Sequence, residues 1–130
     1  MEEKFTDQYG VKYADYGKTL VRCPIEFEGE YIVPDSVTTI DAFAFRDCTG
    51  LSGIVLPEGL KKIGDMAFDG CTSLEDISLP KSLESVATSA FTRKLILSYG
   101  IHVPEELTEI RKKIDEACHY WFFNSGVFRD

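Results

Sequence analysis

The chain has 130 residues, and its 22 acidic and 14 basic residues give a formal net charge of −8 at pH 7. This charge argues against nucleic acid as a partner, because phosphate binding needs a clustered lysine and arginine face. The densest basic spots, Lys61-Lys62 and Arg111-Lys113, are interpreted as solvated surface. No stretch approaches the roughly 20 apolar residues needed to span a bilayer.

The first ten residues, MEEKFTDQYG, are charged and lack the apolar region of a signal peptide. We therefore expect a cytoplasmic location for the sequence as given, and the cell surface or secretion if it is trimmed from a longer precursor. Length predicts one domain, 1–130. Within it, residues 1–30 are expected to form an N-terminal cap, and we predict a β-hairpin of Val11–Ala14 and Thr19–Cys23 that turns at Asp15–Lys18.

Residues 31–103 repeat with a period of 23, as the spacing of Pro34, Pro57 and Pro80 shows. The Ala-Phe pairs that end at Phe45, Phe68 and Phe91 have the same spacing. A fixed period of 20–50 residues predicts a solenoid, in which each repeat packs on its neighbours.

Each repeat is expected to contribute one short strand that ends near its proline, which cannot donate to a ladder. In the central repeat, alternation predicts that Leu51, Ile54 and Leu56 point inward, and that Gly53, Val55 and Pro57 point outward. Leu60, Ile63, Ala67, Phe68 and Leu74 are the other predicted core residues of this repeat. The Ala-Phe segment is expected to form one helical or 3₁₀ turn, with Asp65 as a candidate cap.

Residues 104–130 are expected to hold a degenerate last repeat and a cap helix. The motif Ile101-His102-Val103-Pro104 repeats the strand signature one residue late, which places an insertion near Lys94–Gly100. Apolar residues from Leu107 to Trp121 then recur at helical spacing, which predicts a helix of roughly Glu109–Phe122 across the last coil.

The candidates for chemistry are few. Cys48 and Cys71 share one repeat position, which in the third repeat is Lys94, so we interpret them as stacked free thiols rather than a disulfide. Cys118 and His119 are adjacent on the predicted helix and point about 100° apart, which does not make a catalytic pair. No spacing suggests a metal site or a cofactor motif. Asp7, Asp15, Asp65 and Asp69 are interpreted as turn or cap residues.

The pattern Ile-x-Leu-Pro-x-x-Leu-x-x-Ile-Gly-x-x-Ala-Phe-x-x-Cys-x-x-Leu, from Ile54 to Leu74, resembles the BspA-type (Treponema-type) leucine-rich repeat family. The resemblance covers about residues 31–110, and residues 11–30 resemble the segment that often precedes such repeats. It implies an α/β fold: a right-handed leucine-rich repeat solenoid with a short parallel β-sheet, here with a β-hairpin cap and a C-terminal helical cap. By resemblance, the source is expected to be bacterial, and adhesion or host-protein binding is the expected role.

The favoured function is a non-catalytic, protein-binding repeat module. Its predicted binding face is the exposed side of the sheet, formed by Glu30, Ile32, Gly53, Val55, Asp76, Ser78 and His102. The alternative is a structural or self-associating repeat protein without a separate ligand, and a homo-oligomer fits this reading. An enzyme would need a constellation that the sequence does not reveal. The aromatic cluster Tyr120–Phe123, with Phe128, is either a cap over the last repeat or a second contact surface.

Overall fold

The computed structural model describes residues 4–124, with side chains up to Trp121. The hairpin cap has the predicted form: β2 (Lys12–Ala14) pairs antiparallel with β3 (Thr19–Arg22), and an additional strand, β1 (Phe5–Thr6), pairs with β2. Asp15, Tyr16 and Gly17 in the connecting turn all have positive φ, at 56°, 57° and 83°. Such left-handed residues give a two-strand turn the twist that the strands require.

The repeats wind into successive coils of a solenoid that has two rows of strands rather than one. The strands that follow the hairpin are β4 (Gly29–Ile32), β5 (Thr39–Ile40), β6 (Leu51–Val55), β7 (Lys62–Ile63), β8 (Ile77–Ser78), β9 (Ser85–Val86) and β10 (Ile101–His102). The even-numbered strands from β4 to β10 form the first row, at the predicted strand positions. The odd-numbered strands from β5 to β9 form a second row, whereas one strand per repeat is predicted from the sequence.

The second row belongs to the larger sheet. Its six strands lie in the order β1-β2-β3-β5-β7-β9, and the pairing from β3 onward is parallel. Thr39, Lys62 and Ser85 are in direct register across the repeats, and Thr19 of the cap hairpin pairs with Thr39. The cap is therefore continuous with the coils. The first row consists of two parallel ladders, β4 with β6 and β8 with β10.

The predicted core is largely confirmed. Leu56 is an exception among the predicted core residues of the central repeat, because it is only half-buried. The prediction that Pro57 points outward was wrong, because Pro57 is buried. Pro57 begins a turn that is closed by a hydrogen bond from the Leu60 N–H to the Pro57 carbonyl oxygen at 3.2 Å. This turn places the proline ring on the inside of the coil. A register shift opposite Gly29 and Glu30 explains why Leu51 and Ile54, three residues apart, both point inward.

The Ala-Phe segments differ between repeats. In the first two they are turns with isolated i→i+3 hydrogen bonds, such as Arg46 N–H to the Phe43 carbonyl oxygen at 3.1 Å, and in the third a 3₁₀ helix forms at Thr88–Ala90. Asp65 therefore caps no helix, and its carboxylate instead accepts a hydrogen bond from the Ser89 hydroxyl at 3.3 Å. A column of phenylalanine rings fills this edge of the solenoid.

Two helices close the C-terminal end. The insertion predicted near Lys94–Gly100 falls on α1 (Arg93–Leu97), whose N-cap Thr92 accepts a hydrogen bond from the N–H of Leu95 at 3.1 Å. The predicted cap helix is α2 (Thr108–Asn124). It packs on α1 and buries Ile110 and Ile114.

Candidate interaction surface

The predicted binding residues lie together on the solvent side of the first strand row, which we call the first-row face. Ile32 and Val55 are direct partners across β4 and β6, and Ser78 and His102 are direct partners across β8 and β10. All of the predicted binding residues other than glycine are exposed: Glu30, Ile32, Val55, Asp76, Ser78 and His102. Gly53 is half-buried beside them.

Two apolar side chains stand out on this face. Ile32 is 67% exposed and Val55 is 45% exposed, although their neighbours Tyr31 and Ile54 are buried. Strand alternation explains this placement, because successive side chains point to opposite sides. The inward partners fill the solenoid core, so packing gives no reason for isoleucine and valine to occupy the outward positions.

The charge on the first-row face is negative. The structure gives four ion pairs within the described residues, formed by Arg46–Asp69, Lys61–Glu84, Lys81–Glu106 and Lys94–Glu75 at 3.4 to 3.9 Å. None of these pairs involves Glu28, Glu30 or Asp76, which are exposed on or beside the face. Their carboxylates are therefore available to a positively charged partner.

A groove that the sequence reading missed adjoins this face. We call it the cap groove: it lies between the N-terminal cap segment and β4, and it is lined by Asp7, Gln8, Tyr9, Phe27, Glu28, Glu30, Tyr31, Ile32 and Pro34. Glu30 and Ile32 thus belong to both the groove and the first-row face. Tyr9 and Phe27 lie outside the 23-residue repeats, so the period carried no signal for them.

Asp7 holds the groove in shape, in agreement with its interpretation as a turn residue. Its carboxylate accepts hydrogen bonds from the N–H groups of Tyr9 and Val11, both at 2.9 Å, and from the Tyr31 hydroxyl at 2.5 Å. The Tyr31 hydroxyl also meets that of Tyr13. Burial and the hydrogen bond to Asp7 raise the pKa of Tyr31, and burial raises the pKa of Tyr13 to about 12.

Three of the four cysteines form a buried column of free thiols. Cys48 and Cys71 lie in it as predicted, and Cys23 of the cap extends it by one member. The thiol of Cys71 donates to the Phe45 carbonyl oxygen at 3.0 Å, and burial raises its pKa to about 12. Contact with the Cys48 thiol and burial raise the pKa of Cys23. Contact with the Cys23 thiol lowers the pKa of Cys48. The thiols of Cys23 and Cys71 are protonated at neutral pH, and all three thiols are shielded from reagents by burial.

The remaining candidates are not brought together. Cys118 is half-buried on α2, and its neighbour His119 is exposed. Among the described residues, no group of three or more histidine, cysteine or acidic side chains is arranged to hold a metal ion. Trp121 is half-buried, with the Arg93 guanidinium 4.6 Å from its ring centroid, and Tyr120 is 59% exposed. The side chains of Phe122, Phe123 and Phe128 lie outside the described residues.

Two parallel strand rows, stacked at a 23-residue period and closed by caps, define a leucine-rich repeat solenoid. The family model for the BspA type leucine rich repeat region (6 copies) matches residues 26–124, and the chain belongs to this family. A leucine-rich repeat protein from Bacteroides capillosus ATCC 29799, known from its crystal structure, is 25% identical with a TM-score of 0.52, over 78% of this chain and 72% of that chain. No curated protein is significantly similar to the chain. None of the helices in the described part of the chain is long and apolar enough to cross a membrane.

Proposed function

We propose that the chain is a non-catalytic module that binds a protein partner through its first-row face. One observation carries the proposal: Ile32 and Val55 are exposed, are direct partners across two strands, and are flanked by carboxylates that form no ion pair with the described residues. An apolar centre with a polar rim is the usual composition of a protein interface. Four coils at roughly 5 Å each give a face about 20 Å long, which fits a modest interface.

The family supports binding in general, and the proposal extends it to adhesion or to the capture of a host protein. Both roles use an exposed repeat surface rather than a reaction centre. Neither requires a cofactor or a metal.

The test uses the double variant Ile32→Glu plus Val55→Glu, which places two charges at the centre of the first-row face. Proteins that the wild-type chain captures from extracts of its source cells or of host cells are identified and purified, and their affinity is measured by calorimetry. We expect the double variant to weaken binding at least about tenfold, because burying an unpaired charge is costly. The matched control is Thr49→Glu plus Thr72→Glu, two exposed positions with the same spacing and the same added charge in the turns that precede β6 and β8. Equal affinity in the wild type and the first-row variant would reject the proposal.

The second candidate is self-association through the same surface. It rests on the same pair, because exposed, neighbouring isoleucine and valine side chains can contact their own copies across a two-fold axis. Sedimentation of the wild-type chain alone separates the two functions. A dimer that the first-row variant dissociates would favour the second candidate, and a monomer at all concentrations would reject it.

A further inference from the structure

The cap groove carries an inference that rests on the proposed function and names the chemistry of the partner. We propose that the groove receives the guanidinium group of an arginine on an extended segment of the partner protein, and that the next outward side chain of this segment packs on Ile32. Aromatic rings, carboxylates and rigidity each contribute to this assignment.

Three aromatic rings surround the groove at right angles to one another. The centroids of Tyr9 and Phe27 are 5.9 Å apart, those of Tyr9 and Tyr31 are 6.0 Å apart, and those of Phe27 and Tyr31 are 5.5 Å apart, with interplanar angles of 88° to 90°. Tyr9 is 55% exposed, and Phe27 is half-buried. The face of an aromatic ring attracts a cation, and a planar guanidinium stacks on it as well. Accessible rings at a right angle offer a cation two such faces at once.

Carboxylates add charge to this site. Glu28 and Glu30 are both exposed, and both line the groove. No lysine or arginine is among the described residues that line the groove. Asp7 is already engaged by two N–H groups and a hydroxyl, so it acts as scaffold and leaves Glu28 and Glu30 to meet the cation. Arginine suits paired acceptors because its fork of N–H donors can contact more than one oxygen.

The groove is rigid before any partner arrives. Its inner wall, Tyr31, is only 3% exposed and is fixed by hydroxyl contacts with Asp7 and Tyr13. Glu30 lies against β6 where Gly53 has no side chain: a Cβ at Gly53 would come within 3.0 Å of the Glu30 carboxylate. A site that is already ordered loses less entropy on binding than one that must fold around its ligand.

The spacing sets the form of the partner. Glu30 and Ile32 are two residues apart on one strand, with both side chains exposed. An extended segment repeats its outward side chains at the same spacing, about 6.6 Å. A partner segment in which an apolar residue follows arginine by two positions therefore matches β4, where Ile32 follows Glu30 by two positions.

The test measures direct binding of a synthetic peptide to the full, isotope-labelled chain by NMR. The probe is acetyl-Gly-Arg-Gly-Leu-Gly-amide, and the matched peptide has glutamine in place of arginine. We expect the arginine peptide to shift the amide signals of Tyr9, Phe27 and Glu30 with millimolar affinity, and the glutamine peptide to bind about fivefold more weakly. High salt should weaken only the arginine peptide.

Variants locate the contact. Tyr9→Ala and Glu30→Gln should each weaken the arginine peptide about three- to fivefold, whereas Glu58→Gln, which removes an exposed carboxylate outside the groove, should leave the affinity unchanged. Circular dichroism confirms that each variant is folded. Equal binding of both peptides, shifts that map elsewhere, or no shifts up to about 10 mM would overturn the assignment. A partner that still depends on Ile32 and Val55 while the arginine peptide fails would reject the groove alone and retain the proposed function.

Discussion

The rings of Phe45 and Phe68 stack face to face, with centroids 5.2 Å apart and planes inclined by 9°. Phe91 continues the stack at 6.2 Å from Phe68 and 1°. All three rings are almost completely buried, so the phenylalanine of each repeat is packed mainly by its counterparts in the neighbouring repeats. This column joins the coils along this edge, together with backbone hydrogen bonds such as the one from the Phe68 N–H to the Ala90 carbonyl oxygen at 2.7 Å.

Loss of the central ring is expected to weaken the whole solenoid. Phe68→Ala should lower the free energy of unfolding by about 3–5 kcal/mol, because it removes a large buried side chain and leaves a cavity between two rings. Urea denaturation measures this change. The control is Tyr99→Ala, since Tyr99 is 76% exposed and its loss should change stability by less than about 0.5 kcal/mol. A Phe68→Ala loss below about 1 kcal/mol would contradict the stacked column.

The loop of Asp7 should matter more for stability than its surface position suggests. Asp7→Ala removes the acceptor of three hydrogen bonds and leaves the hydroxyl of the buried Tyr31 with one partner fewer. We expect a loss of about 2–4 kcal/mol in the free energy of unfolding. Glu58→Ala, at an exposed acidic position, is the control. If both variants unfold at the same urea concentration, the cap is not anchored by Asp7.

Stability should fall in alkaline solution. Burial raises the pKa of Cys71 from 9.0 to about 12 and that of Tyr13 from 10.0 to about 12. Above about pH 9 the unfolded chain releases the Cys71 proton, and above about pH 10 it also releases the Tyr13 proton, whereas the folded chain retains both. The free energy of unfolding should therefore drop by about 1.4 kcal/mol per pH unit for each group between its unfolded and its folded pKa. Below pH 9 both states keep these protons, and these groups produce no slope.

Cys71→Ala tests the contribution of this thiol to the alkaline slope. Urea midpoints of the variant between pH 9 and 10 should decline less steeply than those of the wild-type chain. An identical slope would mean that Cys71 ionises as readily in the folded protein as in the unfolded one.

The thiol column is expected to remain unbridged. Cys23, Cys48 and Cys71 are free and fully buried, so dithiothreitol should leave the melting temperature unchanged. Mass spectrometry of the intact protein, alkylated without reduction after unfolding, should count four modified cysteines. A shift in melting temperature with reductant would indicate a disulfide and an oxidising compartment.

The C-terminal helix should be required for folding. Removal of residues 108–130 uncovers the last coil, because Ile110 and Ile114 of α2 are buried against it. We expect the shortened chain to aggregate or to lose its cooperative transition. Ile114→Ala is the milder variant, with an expected loss of about 2–4 kcal/mol, and Lys112→Ala on the exposed side is its control. A soluble, cooperative truncated chain would show that α2 is an appendage.

The repetition in the sequence predicted the coils, whereas local patterns predicted the hairpin and the C-terminal helix. The proline and phenylalanine positions of the repeat, represented by Pro57 and Phe68, recur every 23 residues. This period predicted the solenoid, the first strand row and the phenylalanine column. The second row was not predicted, because each of its strands has only two residues, as in Thr39–Ile40, which is too few to show an alternating pattern. The burial of Pro57 was missed because it depends on the turn geometry rather than on strand alternation.

The site was predicted only where it coincides with the repeats. Ile32 and Val55 occupy equivalent positions, so their exposure followed from strand alternation. The cap groove could not be found in this way, because Tyr9 comes from a loop outside the period and meets β4 only through tertiary contacts. Cys23 was missed for a related reason: it lies 25 residues before Cys48, not 23.

The continuous register of the second row has a consequence for the length of the molecule. Thr19, Thr39, Lys62 and Ser85 follow one another across the cap and three coils without a shift. A copy of residues 54–76 inserted after Asp76 would therefore find matching neighbours on both sides, and it would lengthen the protein by one step of about 4.8 Å. The reach of such a protein changes in whole steps, by gain or loss of a unit, while both ends stay the same.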